Sequence, residues 1–145
     1  MASLDNLAGR LERLSDRLVE NRTKLVKKVA VTVDQAIVTA TPVDTGRARS
    51  NWIVSIGSPV TAPIPAYSEG KGGSTAAANL AAATAQAQVV IGSYRGAAGQ
   101  EIHITNNLPY IQKLNDGSSA QAPANFVESA INEGLTAVRN SNLLG

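Results

Sequence analysis

The chain has 145 residues, a formal net charge of +2, 43% hydrophobic and 3% aromatic residues, and no cysteine. That length is one ordinary domain able to bury a real core, but much of the apolar content is alanine, so the core must be a lean one of Val, Ile and Leu. Disulfides and thiolate metal sites are excluded. With no charged-then-apolar leader and no run near the roughly 20 apolar residues of a membrane span, the expectation is a soluble protein made in the cytoplasm, with no membrane partner.

Charge is unevenly placed. Residues 1 to 28 hold seven basic and four acidic side chains, whereas the remainder holds six basic and seven acidic. In that first segment Leu4, Leu7, Leu11, Leu14, Leu18 and Leu25 follow a 3,4-spacing, with Asn21 at the one polar seam position, which is the period of an amphipathic helix. At about 100° per residue, Arg10, Arg13, Arg17, Lys24 and Lys28 form a basic band beside the leucines. Asp5, Glu12, Asp16 and Glu20 form an acidic band beyond it. Two readings stay open: a core-facing leucine stripe with solvated charges, or bands that meet neighbouring subunits or face DNA in a channel. Asn21 would then set register, as polar seam residues do in coiled coils.

The apolar face continues through Val26, Val29, Val33, Ala36, Ile37 and Ala40 to a stop at Pro42. The predicted helix spans 1–40. At 1.5 Å per residue it is about 50 Å long, which predicts a break, a bend or a protruding N-terminal part. In the turn that follows, Asp44 and Thr45 suit local backbone bonding and Gly46 supplies a positive φ. A first strand is expected from Arg47 to Ile56, with Trp52, Val54 and Ile56 on one face and Arg47, Arg49 and Asn51 on the other.

Residues 58–88 read as an insert rich in Pro, Gly and Ala. Its Glu69 to Ser74 stretch is a flexible tip that lacks the residue order of a phosphate loop. Ser74 is placed to cap an alanine-rich helix from Thr75 to Gln86. Val89 to Ile91 and Glu101 to Thr105 read as two more strands joined by a glycine-rich hairpin loop. His103, the only histidine, is an exposed or edge residue. A short helical turn buries Tyr110, Ile111 and Leu114 and ends at Asp116-Gly117. A last helix begins at Ala124 or Asn125, with Phe126, Val127, Ala130, Ile131, Leu135 and Val138 on one face, and residues 140–145 fray or reach a partner. The expected fold is α+β, one domain over 1–145: a long N-terminal helix, a small antiparallel sheet of three to four strands, an inserted helix and a C-terminal helix packed on the sheet.

Two blocks carry a resemblance. The first is Pro42-Val43-Asp44-Thr45-Gly46-Arg47 followed by Arg49-Ser50-Asn51-Trp52. The second runs from Asn106-Asn107-Leu108-Pro109-Tyr110-Ile111 through Leu114, Gly117 and Ser119 to Gln121-Ala122-Pro123. In wording, order and separation they resemble the neck, head-tail joining and tail-completion proteins of tailed bacteriophages, a group that includes the minor-tail-protein-Z type. The resemblance covers about residues 42–57 and 105–131. It implies a structural virion protein at the head-tail junction or proximal tail, forming a connector-like ring through which DNA passes; the ring size is a separate expectation, six-fold in first place and twelve-fold in second. Its partners would be copies of itself, adjoining head-completion and tail proteins, and the genome by non-specific contact. Arg47, Arg49, Trp52, Tyr110, Leu114 and Pro123 are the candidate subunit or partner interface. Arg10, Arg13, Arg17, Lys24 and Lys28 are the candidate DNA-facing or inter-subunit stripe.

Catalysis finds no support. There is no Gly-x-Ser-x-Gly elbow, no His-Glu-x-x-His, no calcium loop, and a lone histidine makes neither a metal site nor a triad. No cofactor is expected. The competing class is a small nucleic-acid-binding protein that uses the basic band, whose duplex affinity would fall steeply with salt.

Overall fold

The structure, a computed structural model, describes residues 4–141. Seven elements follow in order: α1 (Leu4–Ala40), α2 (Arg47–Ser50), β1 (Ile53–Ile56), α3 (Ala76–Gly92), β2 (Ile102–Thr105), α4 (Ile111–Lys113) and α5 (Phe126–Arg139), with a helical turn over Leu114–Ser118 between the last two. Of the tail, residues 142–145 lie outside the described residues.

Helix α1 runs unbroken for 37 residues, about 55 Å at 1.5 Å per residue. No proline interrupts it, and its β-branched run from Val29 to Val38 lies where the helix is buried against the rest of the chain. Ala30, Val33, Ile37 and Val38 are buried there, so burial overrides the weaker propensity of those residues. Of the three outcomes expected for so long a helix, the protruding N-terminal part is the one observed. Residues 11–20 are exposed on every side.

The sheet has two strands, not three or four. β1 and β2 pair antiparallel, with Ile53 opposite Thr105, Val54 opposite Ile104, Ser55 opposite His103 and Ile56 opposite Ile102. Two expected strand segments are helical instead. Arg47 to Ser50 coil because Gly46, at φ 87°, turns the chain into a helical turn whose carbonyl accepts from Ser50 N and Oγ. The expected strand therefore shortens to Ile53–Ile56, and the alternation that put Trp52 opposite Arg47 and Arg49 does not apply. Val89 to Ile91 continue α3, since the alanine run ahead of them carries the helix through three β-branched residues.

Two side-chain clusters make the core. Val33, Ile37, Val38, Trp52, Ala83 and Ala130 form one; Ala30, Val54, Ala87 and Ile91 form the other, and Ile104 of β2 packs against both. Helix α5 lies chiefly against α1, not on the sheet as expected. Gly134 explains the choice: a Cβ there would stand 3.0 Å from Val33 Cα, so the missing side chain lets the two backbones approach. The free edge of β1 is closed by a side chain. Gln86 of α3 donates from Nε2 to Val54 O (2.9 Å) and accepts from Val54 N (3.2 Å), occupying the ladder positions a third strand would have used.

Candidate functional site

The two blocks that carry the resemblance, some 60 residues apart in sequence, meet on one surface. Val43 N donates to Gln121 Oε1 at 2.9 Å and Gln121 Nε2 donates to Val43 O at 3.0 Å, so one side-chain amide bridges the blocks in both directions. Around this clasp lies an open depression of about 390 Å³, lined by Pro42, Asp44, Thr45, Tyr110, Leu114 and Ser119 among others. A second depression, about 420 Å³, opens alongside between Thr45, Arg47 and the Pro63 to Ala66 stretch. Arg47 is common ground, because its side chain lines the second depression and its charge also reaches the Tyr110 phenol.

Each wall is held by specific bonds. Thr45 Oγ1 accepts from Arg47 N at 3.4 Å, a local turn of the kind expected. Asp44 reaches outward instead: Oδ1 accepts from Gly72 N (2.8 Å) and its carbonyl from Gly73 N (3.0 Å). The stretch from Glu69 to Ser74, expected as a flexible tip, is thereby tied to the first block. Ser74 Oγ accepts from Lys71 N within the same loop, and Thr75, not Ser74, precedes α3.

Beneath the surface sits a buried polar bracket. Asn79 Oδ1 accepts from Ser50 Oγ (2.9 Å) and Ser68 N (2.9 Å), while Nδ2 donates to Ser68 O (2.8 Å) and Thr75 O (3.0 Å). A Cβ at Gly46 would overlap that amide, so the glycine is required for space as well as for its positive φ. Asn51 repeats the device on the next loop, donating to Ile64 O and accepting from Ile64 N, each at 2.7 Å. Asn115 organises the far end. Its Oδ1 accepts from Val127 N in the first turn of α5, and its Nδ2 donates to both Glu128 oxygens.

The candidate interface residues fall into two groups. Tyr110, 38% exposed, and the half-buried Leu114 line the first depression, and the charge of exposed Arg47 reaches the phenol; Pro123 is exposed two residues beyond Gln121. Burial raises the Tyr110 phenol pKa, and the positive charge of Arg47 opposes that shift. The expected burial of Tyr110 in a helical turn is corrected accordingly: it precedes α4 and faces outward.

Trp52 and Arg49 point inward. Trp52 is 7% exposed, and its indole N–H donates to Thr41 Oγ1 at 2.8 Å, which in turn donates to Ile37 O at 2.7 Å. Arg49 donates to Thr39 O (2.9 Å), Thr41 O (3.2 Å) and Ala76 O (3.2 Å), which places a cation on the carbonyls at the C-terminal end of α1. Desolvation lowers its pKa. Sequence reasoning did not foresee the amides of Asn51, Asn79, Gln86 and Gln121 as brackets. Gln86 and Gln121 hold backbone 32 and 78 residues away, Asn51 holds Ile64 13 residues away and Asn79 holds Ser68 and Ser50 11 and 29 residues away, and no local pattern announces these pairings.

The basic band is elsewhere. Arg10, Arg13, Arg17 and Lys24 are exposed on α1, and Lys28 is half-buried. Asp5 of the acidic band has a side chain outside the described ones. Further along, Arg22 Nη2 and Lys27 Nζ donate to Gly96 O and Gly92 O, anchoring the root of the protruding part to the end of α3.

Among the described residues no group of three or more metal-ligating side chains occurs, and no helix is long and apolar enough to cross a membrane. His103 pairs only loosely with Glu101, at 3.7 Å, and lies 3.3 Å from Gly57 O. Comparison with protein-family models, curated proteins and solved structures returns no match to the chain.

Proposed function

We propose that this chain is a structural virion protein of a tailed phage, a ring-forming component of the head-tail junction or the proximal end of the tail. One observation carries the reading. The two blocks that resemble neck and tail-completion proteins converge through Gln121 and Val43 on a single face. If they were turn punctuation alone, nothing would require them to share a surface. That face presents an aromatic ring, a guanidinium and half-buried apolar groups, the composition in which interface energy concentrates. In this reading Arg47, Tyr110, Leu114 and Pro123 touch the neighbour, whereas Arg49 and Trp52 position the face from within.

A face on one copy meeting a different face on the next is a heterologous contact, which gives a closed ring when the rotation closes. Six copies are favoured and twelve come second, with the genome passing through the centre and adjoining head and tail proteins above and below. The test is mass measurement on the purified protein and on assembled particles, with Arg47→Glu and Tyr110→Ala as interface variants. A multiple of the subunit mass that both substitutions reduce is the expected result. A chain that is a monomer both free and in the particle overturns the reading.

A further inference from the structure

The first five turns of α1 carry an apolar stripe that this fold leaves bare. Leu4, Leu7, Leu11, Leu14 and Leu18 are between 50 and 83% exposed, far more than isolated surface leucines require, and such a contiguous patch marks an interaction site. Written as heptads, Leu4, Leu11, Leu18 and Leu25 occupy a, and Leu7, Leu14 and Asn21 occupy d, so the seam spans about 30 Å of helix. At its inner end it runs into an open apolar groove of about 520 Å³ between Leu25, Val29, Ile102, Ile131 and Leu135.

The charges beside the seam choose the occupant. Position g holds Arg10, Arg17 and Lys24, all exposed, while e holds Ala8, Ser15 and Arg22. In a parallel pair of copies, g faces e of the partner, giving Arg opposite Ser and Arg opposite Arg. In an antiparallel pair, g faces g, cation against cation. The acids Glu12, Asp16 and Glu20 occupy b, f and c, away from the seam, and answer neither arrangement. Duplex DNA would satisfy the cations and leave the leucines wet.

We infer that residues 4–25 of α1 are a docking helix for an acidic amphipathic helix of another protein, one with an apolar seam flanked by Asp or Glu. Its leucines fill the a/d seam, its carboxylates meet Arg10, Arg17 and Lys24, and the small Ala8 and Ser15 let it approach closely on the other flank. The inference stands on this segment alone and does not depend on the ring.

The experiment uses the full chain and two synthetic three-heptad peptides, both with Leu at a and d, one with Glu and the other with Lys at e and g. The Glu peptide is expected to bind at least about tenfold more tightly by fluorescence anisotropy, with the preference shrinking as salt rises. Leu11→Ser with Leu14→Ser should abolish binding without altering the helical circular dichroism or the unfolding temperature, because neither side chain is packed in the fold. Arg10→Glu with Arg17→Glu should reverse the preference to the Lys peptide. Equal binding, or binding of neither peptide, overturns the inference. So does self-association that the leucine substitutions disrupt, or seating of the stripe on phosphatidylglycerol vesicles instead of peptide. A ring whose mass is unchanged by the leucine substitutions, together with lost peptide binding, supports both proposals; a wild-type chain that stays monomeric in solution and in the particle but keeps the peptide preference refutes only the ring.

Discussion

Asp34 is the residue whose environment is most at odds with its chemistry. It is fully buried on α1, one turn from Ala30 and one turn from Val38, and neither oxygen has a hydrogen-bond partner among the described residues. Desolvation, the cost of holding a carboxylate away from water, raises its pKa to about 7. An unfolded chain releases that proton near pH 3.9, so between roughly pH 4 and 7 the folded state binds more protons than the unfolded one. Its stabilising protonation is complete below that window and lost as pH rises through about 7.

Urea unfolding of the wild type should therefore lose stability on the order of 1 kcal/mol per pH unit across the window. Asp34→Asn should remove that slope and be the more stable protein at pH 8. A variant whose pH profile parallels the wild type would show that the acid is solvated. Gly46 is equally exposed to test. Its φ of 87° and the Asn79 amide in its Cβ space predict that Gly46→Ala lowers stability by about 2 kcal/mol or more, read from the thermal midpoint.

At the scale of elements, the fold is held by close helix contact and by amides that replace missing strands. The contact of α1 with α5 depends on Gly134. Gly134→Leu should cost about 1 to 3 kcal/mol by forcing the backbones apart, even though leucine is the better helix former. The clasp between the two blocks makes a separate prediction. Gln121→Ala leaves Val43 N–H and C=O without their partner, at a cost of about 1 to 3 kcal/mol. Amide hydrogen exchange at Val43 should speed up while that of the α1/α5 contact stays slow. An unchanged Val43 rate would mean the blocks are held together by something other than this side chain.

The whole molecule is a packed head on the C-terminal half of α1 and a helical extension with a bare leucine stripe. That division separates two kinds of contact. The face built from the two blocks is irregular and loop-borne, suited to one neighbour of fixed shape. The extension is regular and suited to a helix. If the chain forms a ring through the first, Leu11→Ser with Leu14→Ser should leave the assembled mass unchanged, and Arg47→Glu should reduce it; both are read by native mass measurement.

Periodicity, with the proline that ends it, determined α1, its stop at Pro42, the leucine stripe with its two charge bands and the apolar face of α5, because a helix writes its pattern over consecutive turns of the same chain. The positive φ of Gly46 was also legible, since the need is local. Tertiary structure decided the rest. Only alternation with Trp52, Val54 and Ile56 points to a strand at residues 47–50, and only β-branched composition does so at 89–91; both are helical, the first after the positive-φ turn at Gly46 and the second as the continuation of the alanine run of α3. Trp52 and Arg49 turned inward because the end of α1 offered them a hydroxyl and carbonyls. Those partners lie 8 to 11 residues back along the chain, and the backbone groups that Asn51, Gln86 and Gln121 hold lie 13, 32 and 78 residues away. A pattern read along the chain has no access to a bond between residues that only folding brings together.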